Sequence, residues 1–323
     1  MDYRRLYIII LLAACTLQAY AQVDRLPVQY FLVPSLINPA LSGKNDFIDL
    51  KAGYRQKMIG IDDNPATFFF NGEKTYFPQG GWADRLRRRM AQWDGRQSTE
   101  ITGLVRIGVG ALALRSEQGA FQRLHTGFNT AVHVPITSSS YLSLGISPRI
   151  LNNRVDLSDI IVRDAATDQA YQSLLLNGTS NTYFNLNAGL SFHSNQFMIA
   201  YGMDRLASAL VSGNEDLNIN EEIEHHFMGN YSLALNPTME LIPTAYARIT
   251  GGFPVFYDAG LRWRYKRNLW TGLSYRSNET LVGSLGFTTN NGIVFGYSYQ
   301  HRSWGLDDFN NGSHELVLGL GIE

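Results

Sequence analysis

The feature that most constrains the fold of this chain is an alternation of apolar and polar residues with period two. It is clearest over residues 183–193. One face carries Phe184, Leu186, Ala188, Leu190 and Phe192, and the other carries Tyr183, Asn185, Asn187, Gly189, Ser191 and His193. Because successive side chains of a β-strand point to opposite faces, this pattern predicts a strand with one apolar and one polar face. A soluble β-sandwich also alternates, so the pattern alone leaves two architectures open.

The number and length of such segments favour a membrane barrel over a sandwich. Fourteen candidate strands cover residues 45–57, 65–76, 103–115, 120–134, 140–151, 181–193, 196–205, 224–235, 238–250, 254–266, 268–277, 279–289, 292–302 and 313–322. Most span 10 to 14 residues, close to the ~9–11 that a tilted strand needs to cross a bilayer. Lipid offers the backbone no hydrogen-bond partner, so the sheet must close on itself. The sequence therefore predicts an all-β, transmembrane antiparallel β-barrel of about 14 strands.

The links between these segments suggest which end of the barrel faces which side of the membrane. After every second strand from the fourth on, the chain has only a short turn, for example Ser194-Asn195 or Asn290-Asn291. The other links include residues 152–180 and 206–223, which are rich in Asn, Asp, Ser and Gly. Short periplasmic turns and long outer loops are typical of outer-membrane barrels. We therefore expect residues 152–180 and 206–223 to be surface loops that face outward.

Residues 77–102 break this rule, because they form a long link on the side expected to face the periplasm. They contain the basic run Arg85-Leu86-Arg87-Arg88-Arg89 between Trp82 and Trp93. One interpretation is a docking element for a periplasmic partner or for lipid headgroups. The other is a solvated basic insertion without a partner.

The first residues predict export from the cytoplasm. Arg4 and Arg5 precede an apolar stretch, and Ala19 and Ala21 form a small-x-small cleavage site. We expect a signal peptide over residues 1–21 with cleavage after Ala21, followed by an N-terminal periplasmic or plug segment over 22–44 and the barrel over 45–323. The alternative is that Cys15, the only cysteine, carries a lipid.

Charge and motifs argue against several functional classes. The 27 basic and 28 acidic residues nearly cancel, so no net field would attract nucleic acid. No apolar run near the ~20 residues of a transmembrane helix follows the signal peptide. Gly-x-Ser-x-Gly and His-Glu-x-x-His patterns are missing from the sequence. The sequence therefore predicts no catalytic residues, no cofactor and no metal.

Two blocks of residues resemble the PorP/SprF family. The first block is Gln29, Tyr30, Asn38, Pro39, Ala40, Gly43, Tyr54, Arg55, Pro65 and Thr67, and the second is Ser313, His314 and Glu315 before the last apolar strand. The resemblance implies a non-enzymatic outer-membrane barrel of the type IX secretion and gliding apparatus in Gram-negative, Bacteroidetes-like bacteria. Such barrels take part in the secretion or surface attachment of cargo proteins, some of them gliding adhesins.

With this resemblance, three functional classes remain. The first is a secretion-associated barrel whose extracellular loops hold the carboxy-terminal domain of a cargo protein, while periplasmic elements contact secretion-system components. The second is a passive porin-like channel, and the third is an outer-membrane hydrolase. The wall itself would contact outer-membrane lipid in each of them.

Some signature residues also have physical interpretations of their own. The pair Asn38-Pro39 forces a turn, because proline fixes φ and has no backbone donor, so we expect this segment to tuck into or under the barrel. We expect Arg55 to be a lumen charge paired with Asp or Glu, since an unpaired arginine in lipid costs roughly 2–4 kcal/mol. Pro65 begins the second strand, where its missing donor does little harm.

Overall fold

The computed structural model describes residues 26–60, 64–78, 104–137, 139–159, 168, 172, 175, 179–213, 222–277, 279–302 and 312–322. These contain fifteen strands and three short 3-10 helices, Pro34–Leu36, Pro39–Leu41 and Leu157–Asp159. The strands are β1 Ile48–Gln56, β2 Ala66–Tyr76, β3 Arg106–Gln118, β4 Phe121–Pro135, β5 Ser140–Val155, β6 Ser180–Ser194, β7 Phe197–Ser212, β8 Glu224–Tyr231, β9 Leu233–Asn236, β10 Met239–Thr250, β11 Phe256–Tyr265, β12 Leu269–Arg276, β13 Thr280–Thr288, β14 Ile293–Arg302 and β15 Ser313–Ile322.

The strands form one closed antiparallel sheet. Apart from β8 and β9, each strand pairs with its neighbours in sequence, and β15 pairs with β1, so that the sheet closes into a ring. Strands β8 and β9 both pair with β10 and are separated only by Ser232, so together they act as one wall strand. The fifteen strands thus make a fourteen-stranded barrel, which confirms the predicted fold.

Burial in this barrel is the reverse of burial in a soluble protein. Ser143 and Ser191 are completely buried, whereas Leu144 is 64 % exposed and Leu273 is 75 % exposed. Polar side chains therefore face the interior and apolar side chains face outward along the same strands. A soluble sandwich requires the opposite arrangement, while a wall in contact with lipid requires this one.

The two ends of the barrel differ in their connections. At one end, called the turn end, the links at 136–139, 195–196, 237–238, 266–268 and 289–292 are short. Each of them overlaps a predicted turn. The other end, called the loop end, carries the links at 156–179, 213–223 and 303–312, together with shorter ones. The link after β2 belongs to the turn end.

The predicted outer loops begin too early in the sequence. β5 continues to Val155 and β7 continues to Ser212, although loops were expected from residues 152 and 206. The pairing of β6 with β7 shifts register between Leu186 and Ala188, where β7 has extra residues. This bulge interrupts the period-two alternation of β7. Beyond it, most of residues 206–212 are exposed on both faces of the strand, so no alternation of apolar and polar residues is required there.

Some predictions fall outside the described residues. These are the signal peptide at 1–21, Cys15, and the basic insertion from residue 79 on. Among the residues that the structure does describe, no helix has the length and apolar character to cross a membrane.

The interior of the barrel holds the chain that precedes β1. Residues 26–47, called the inner segment, contribute Val28, Gln29, Tyr30, Val33, Ser35, Leu36, Ile37, Asn38, Ala40, Leu41 and Ser42 to the buried set. The segment contacts side chains of strands on opposite sides of the wall, including Glu73 of β2 and Tyr246 of β10. Within the described residues, the hydrophobic core therefore consists of side chains of this segment packed against side chains of the barrel wall.

Candidate functional site

Two buried carboxylates hold the backbone of the inner segment. Glu315 Oε2 accepts from the N–H of Val28 at 2.6 Å, and its Oε1 accepts from the N–H of Gln29 at 2.8 Å. Glu73 accepts from Ser35 Oγ at 2.9 Å and from the N–H of Gly43 at 2.6 Å. Hydrogen bonds to an ionised group are shorter and stronger than neutral ones. The two acids, on β15 and β2, thus anchor both halves of the segment.

The carbonyl groups of the segment are matched by donors from other strands. Arg55 donates to Leu26 O at 2.7 Å and Arg149 donates to Leu36 O at 3.0 Å. Asn129 Nδ2 also donates to the carbonyl of Ser35, at 2.9 Å. Irregular backbone inside a barrel needs such partners, because an unpaired buried carbonyl is costly. Arg55 is thus an interior residue with a positioning role toward the segment.

The turn at Asn38-Pro39 has a clear local origin. Asn38 is the N-cap of the second 3-10 helix, and its Oδ1 accepts from the N–H of Ala40 at 2.9 Å. Pro39 follows at the first helical position, where its missing N–H costs nothing. The other side of the Asn38 amide donates to Leu190 O at 3.3 Å. The pair therefore both makes the turn and attaches it to β6.

Glycines in the wall leave room for this turn. A Cβ on Gly145 would lie 2.3 Å from Ala40 N, and one on Gly189 would lie 2.0 Å from Asn38 Oδ1. Both distances are far below any allowed contact. The backbone of β5 and β6 can approach the segment only because these positions lack a side chain.

The end of the turn depends on two further glycines. Gly43 has a φ of +67°, a conformation that glycine adopts without strain. Gly108 on β3 relieves crowding, since a Cβ there would lie 1.8 Å from the carbonyl oxygen of Ser42. His133 Nε2 lies 2.8 Å from the same Ser42 oxygen.

Aromatic side chains pack the start of the segment against the opposite wall. Tyr30 and Tyr246 have ring centroids 5.3 Å apart, and Phe31 meets Trp270 edge-on at 5.1 Å. Burial, and then the negative charge of Asp258, raise the pKa of the Tyr30 phenol above its ordinary value. The phenol therefore stays neutral inside the lumen.

The interior also contains paired charges. Arg276 Nε donates to Asp258 Oδ2 at 2.6 Å, and both side chains are almost fully buried. Another nitrogen of Arg276 lies 3.4 Å from Val28 O. The pair thus reaches the inner segment as well.

One cluster in the described part of the chain could hold a metal ion. Asp204, Glu224 and His226 each offer a ligand atom, and these atoms lie within 4.8 Å of one another. Arg205 also lies 3.2 Å from Glu224, and Arg149 lies 3.9 Å from Asp204, so the same groups make an ion-pair network without a metal. Glu224 and His226 are two residues apart on β8, a spacing that places both side chains on one face of a strand.

The signature residues of the first block fall into two groups. Gln29, Tyr30, Asn38, Pro39, Ala40, Gly43, Arg55 and Thr67 are buried in the interior. Tyr54 instead faces outward and is 46 % exposed. Pro65 precedes β2, and its carbonyl accepts from the N–H of Lys57 at 2.8 Å.

The second block divides in the same way. Ser313 Oγ accepts from the N–H of Met58 at 3.2 Å, and the ring of His314 lies 2.6 Å from the Tyr297 hydroxyl. Glu315 faces the lumen, opposite Arg55 in the pairing of β1 with β15. The structure thus joins Glu315 to the first block and leaves His314 on the other face.

The sequence of this chain matches the family described as "Type IX secretion system membrane protein PorP/SprF" over residues 19–320. No curated protein matches the chain.

Several solved barrels are similar in structure. The Ralstonia pickettii toluene transporter TbuX is 8% identical, with 88% of this chain and 92% of that chain covered and a TM-score of 0.47. The Pseudomonas putida toluene transporter TodX is 10% identical, with 92% and 94% covered and a TM-score of 0.45. The Acinetobacter baumannii outer membrane protein Omp33 is 11% identical, with 86% and 99% covered and a TM-score of 0.42.

Proposed function

Because this chain belongs to the PorP/SprF family of type IX secretion system membrane proteins and folds as a barrel with an apolar exterior, we propose that it holds secreted cargo proteins at the cell surface. The protein lies in the outer membrane of a Gram-negative cell, as its family and its barrel fold indicate. Neither the family nor the architecture is an enzyme class. The cargo proteins in this proposal include adhesins used in gliding.

The observation that carries the proposal is the extension of β7 at the loop end, past its last described pair with β8. The last pair between β7 and β8 is Asp204 with Glu224, yet β7 continues to Ser212 and pairs with β6 over that stretch. Among the described residues, the other edge of β7 beyond Asp204 has no strand beside it. An unpaired edge accepts a strand from another chain through backbone hydrogen bonds.

The side chains of this extension suit a protein partner. Leu206 and Val211 are exposed large apolar residues, and exposed apolar surface often marks an interaction site. We infer that the loop end faces outward and that a strand of the carboxy-terminal domain of the cargo pairs with residues 206–212. The links at 156–179 and 213–223 belong to the same end of the barrel, and in this proposal they complete the contact.

The turn end would then face the periplasm and the secretion machinery. Its links are short except for the one after β2, which contains the basic run at 85–89. In this proposal that link contacts periplasmic secretion-system components. A solvated insertion without a partner remains the competing interpretation.

A passive porin-like channel is the alternative function. It requires a water-filled path through the lumen, whereas here the inner segment crosses the interior and is bonded to β1, β2, β4 and β15. Conductance of the purified barrel in planar bilayers separates the two. The attachment proposal predicts no steady conductance, and the channel predicts a stable one.

The test of cargo attachment shortens the links at 156–179 and 213–223 and leaves the strands intact. Residues 160–178 and 214–221 are replaced by short Gly-Ser turns, and surface cargo that copurifies with the barrel is measured by mass spectrometry. We expect cargo retention to fall at least tenfold. Replacement of residues 303–311, a link at the same end but distant from β7, serves as the matched control. Unchanged retention in the folded double replacement would contradict the proposal.

A further inference from the structure

A cavity of about 150 Å³ lies at the turn end, between the inner segment and the wall. The inner segment provides Tyr30, Phe31 and Lys44 to its lining, and the wall provides Arg262 and Arg264 together with polar residues of the β6–β7 turn, β8 and β10. A molecule of liquid water takes up about 30 Å³. The cavity therefore has space for a small ion with a few waters.

The charges around this cavity are strongly unbalanced. Among the described residues that line it, three are cations, Lys44, Arg262 and Arg264, and none is an Asp or Glu. The nearby carboxylate of Glu240 pairs with Arg264 and accepts from Ser232 Oγ. With Glu240 counted, the group carries three positive charges and one negative charge, a net charge of two.

Two buried N–H donors in this group have no acceptor among the described residues. The Nε atoms of Arg262 and Arg264 are buried and have no hydrogen-bond partner. The Arg262 guanidinium lies 4.1 Å above the ring of Phe31. Stacking of this kind orients the guanidinium plane and leaves its N–H groups along the edge for another ligand. Buried donors without partners are costly, so an acceptor in the cavity would be stabilising.

The surroundings of Lys44 disfavour its charged form. Burial, and then the charges of Arg262 and Arg264, lower the pKa of its amine from the ordinary value. The plain interpretation is that water solvates the three cations. Water, however, is neutral and does not cancel a net charge of two that is held among partly buried groups.

We propose that this cavity binds a phosphate dianion, either inorganic phosphate or the phosphate group of a phosphomonoester. A dianion cancels the net charge of the site, and its oxygens accept from guanidinium edges in the paired geometry that arginine favours. Because Lys44 belongs to the inner segment and the arginines to β11, the bound anion joins the segment to the wall. This inference is independent of cargo attachment.

The proposal is tested by titrating the full-length barrel, folded in detergent without added phosphate, with inorganic phosphate in a calorimeter. We expect one site per chain, with binding at least tenfold weaker in Arg262→Gln and in Lys44→Gln. Arg267→Gln is the matched control, because Arg267 is an exposed residue of the turn after β11 at the same end. Heat-modifiable migration on gels establishes that each variant is folded.

A second titration distinguishes the sources of the phosphate group. Glycerophosphoethanolamine, a phosphodiester with a single negative phosphate charge, stands for a lipid headgroup, and we expect it to bind at least tenfold more weakly than phosphate. Equal binding of phosphate by the wild type, Arg262→Gln and Lys44→Gln would overturn the site. Tighter binding of the phosphodiester than of phosphate would overturn its assignment to a dianion.

Discussion

Glu315 Oε1 accepts a hydrogen bond of 2.8 Å from the backbone N–H of Gln29, a residue 286 positions away in the sequence. The same carboxylate holds Val28 through its other oxygen. The two blocks of residues that characterise the sequence therefore meet in space. Their contact attaches the inner segment to the last strand of the barrel, next to the strand pair that closes β15 onto β1.

This relationship predicts that Glu315→Gln loosens the inner segment. A neutral amide cannot accept two charge-assisted hydrogen bonds, and each such bond contributes about 1.5–3 kcal/mol. We expect faster cleavage of residues 26–47 by protease in the folded barrel. Glu117→Gln is the control, because the Glu117 side chain is 44 % exposed and forms a surface ion pair with Arg115. Equal cleavage rates in the two variants would show that Glu315 does not anchor the segment.

The glycines of the wall give a second prediction. In Gly145→Ala the new Cβ meets Ala40 N at 2.3 Å, so the turn at residues 38–41 has to move. We expect faster amide hydrogen exchange at Ala40 and Leu41. Gly283→Ala introduces the same methyl group into another strand, where no atom lies within 4 Å. If exchange at the turn were the same in both variants, close packing of β5 against the segment would be wrong.

The buried pair of Asp258 and Arg276 gives a prediction about stability. Asp258→Asn leaves the guanidinium of Arg276 without its carboxylate, and loss of one partner of a buried pair costs about 3–5 kcal/mol. We expect the urea midpoint of unfolding to fall accordingly. Asp46→Asn removes the partner of Arg106, where the Asp46 side chain is mostly exposed, and should cost about 0–1 kcal/mol. A similar shift in both variants would argue that the Asp258 pair is solvated.

The polarity of the wall is tested at Leu273, in the middle of β12. Its side chain faces outward, and an arginine there would lie in hydrocarbon at a cost of about 2–4 kcal/mol. We expect Leu273→Arg to make folding into lipid vesicles less favourable by that amount. Asn268→Arg, in the exposed turn before β12, should fold like the wild type. Undiminished folding of Leu273→Arg would place this face away from lipid.

The sequence by itself determined the wall of this protein. The faces of residues 183–193 follow from period-two alternation alone: Leu190 and Phe192 are exposed while Ser191 and His193 are buried, as the membrane-barrel reading requires. Strand count and most turns follow from the same local pattern. The signal is local because every residue of a wall strand contacts lipid on one side or the lumen on the other, whatever its partners are.

Only the tertiary structure decided what occupies the lumen. Glu315, Glu73 and Arg149 are widely separated in sequence, and their contacts with the inner segment depend on the register of many strand pairs. The same holds for Lys44 with Arg262 and Arg264, and for Asp204 with His226. Closure of the sheet brings such side chains together at one level of the barrel. Periodicity along a single strand shows which face a residue takes, but it carries no information about which residue lies across the lumen.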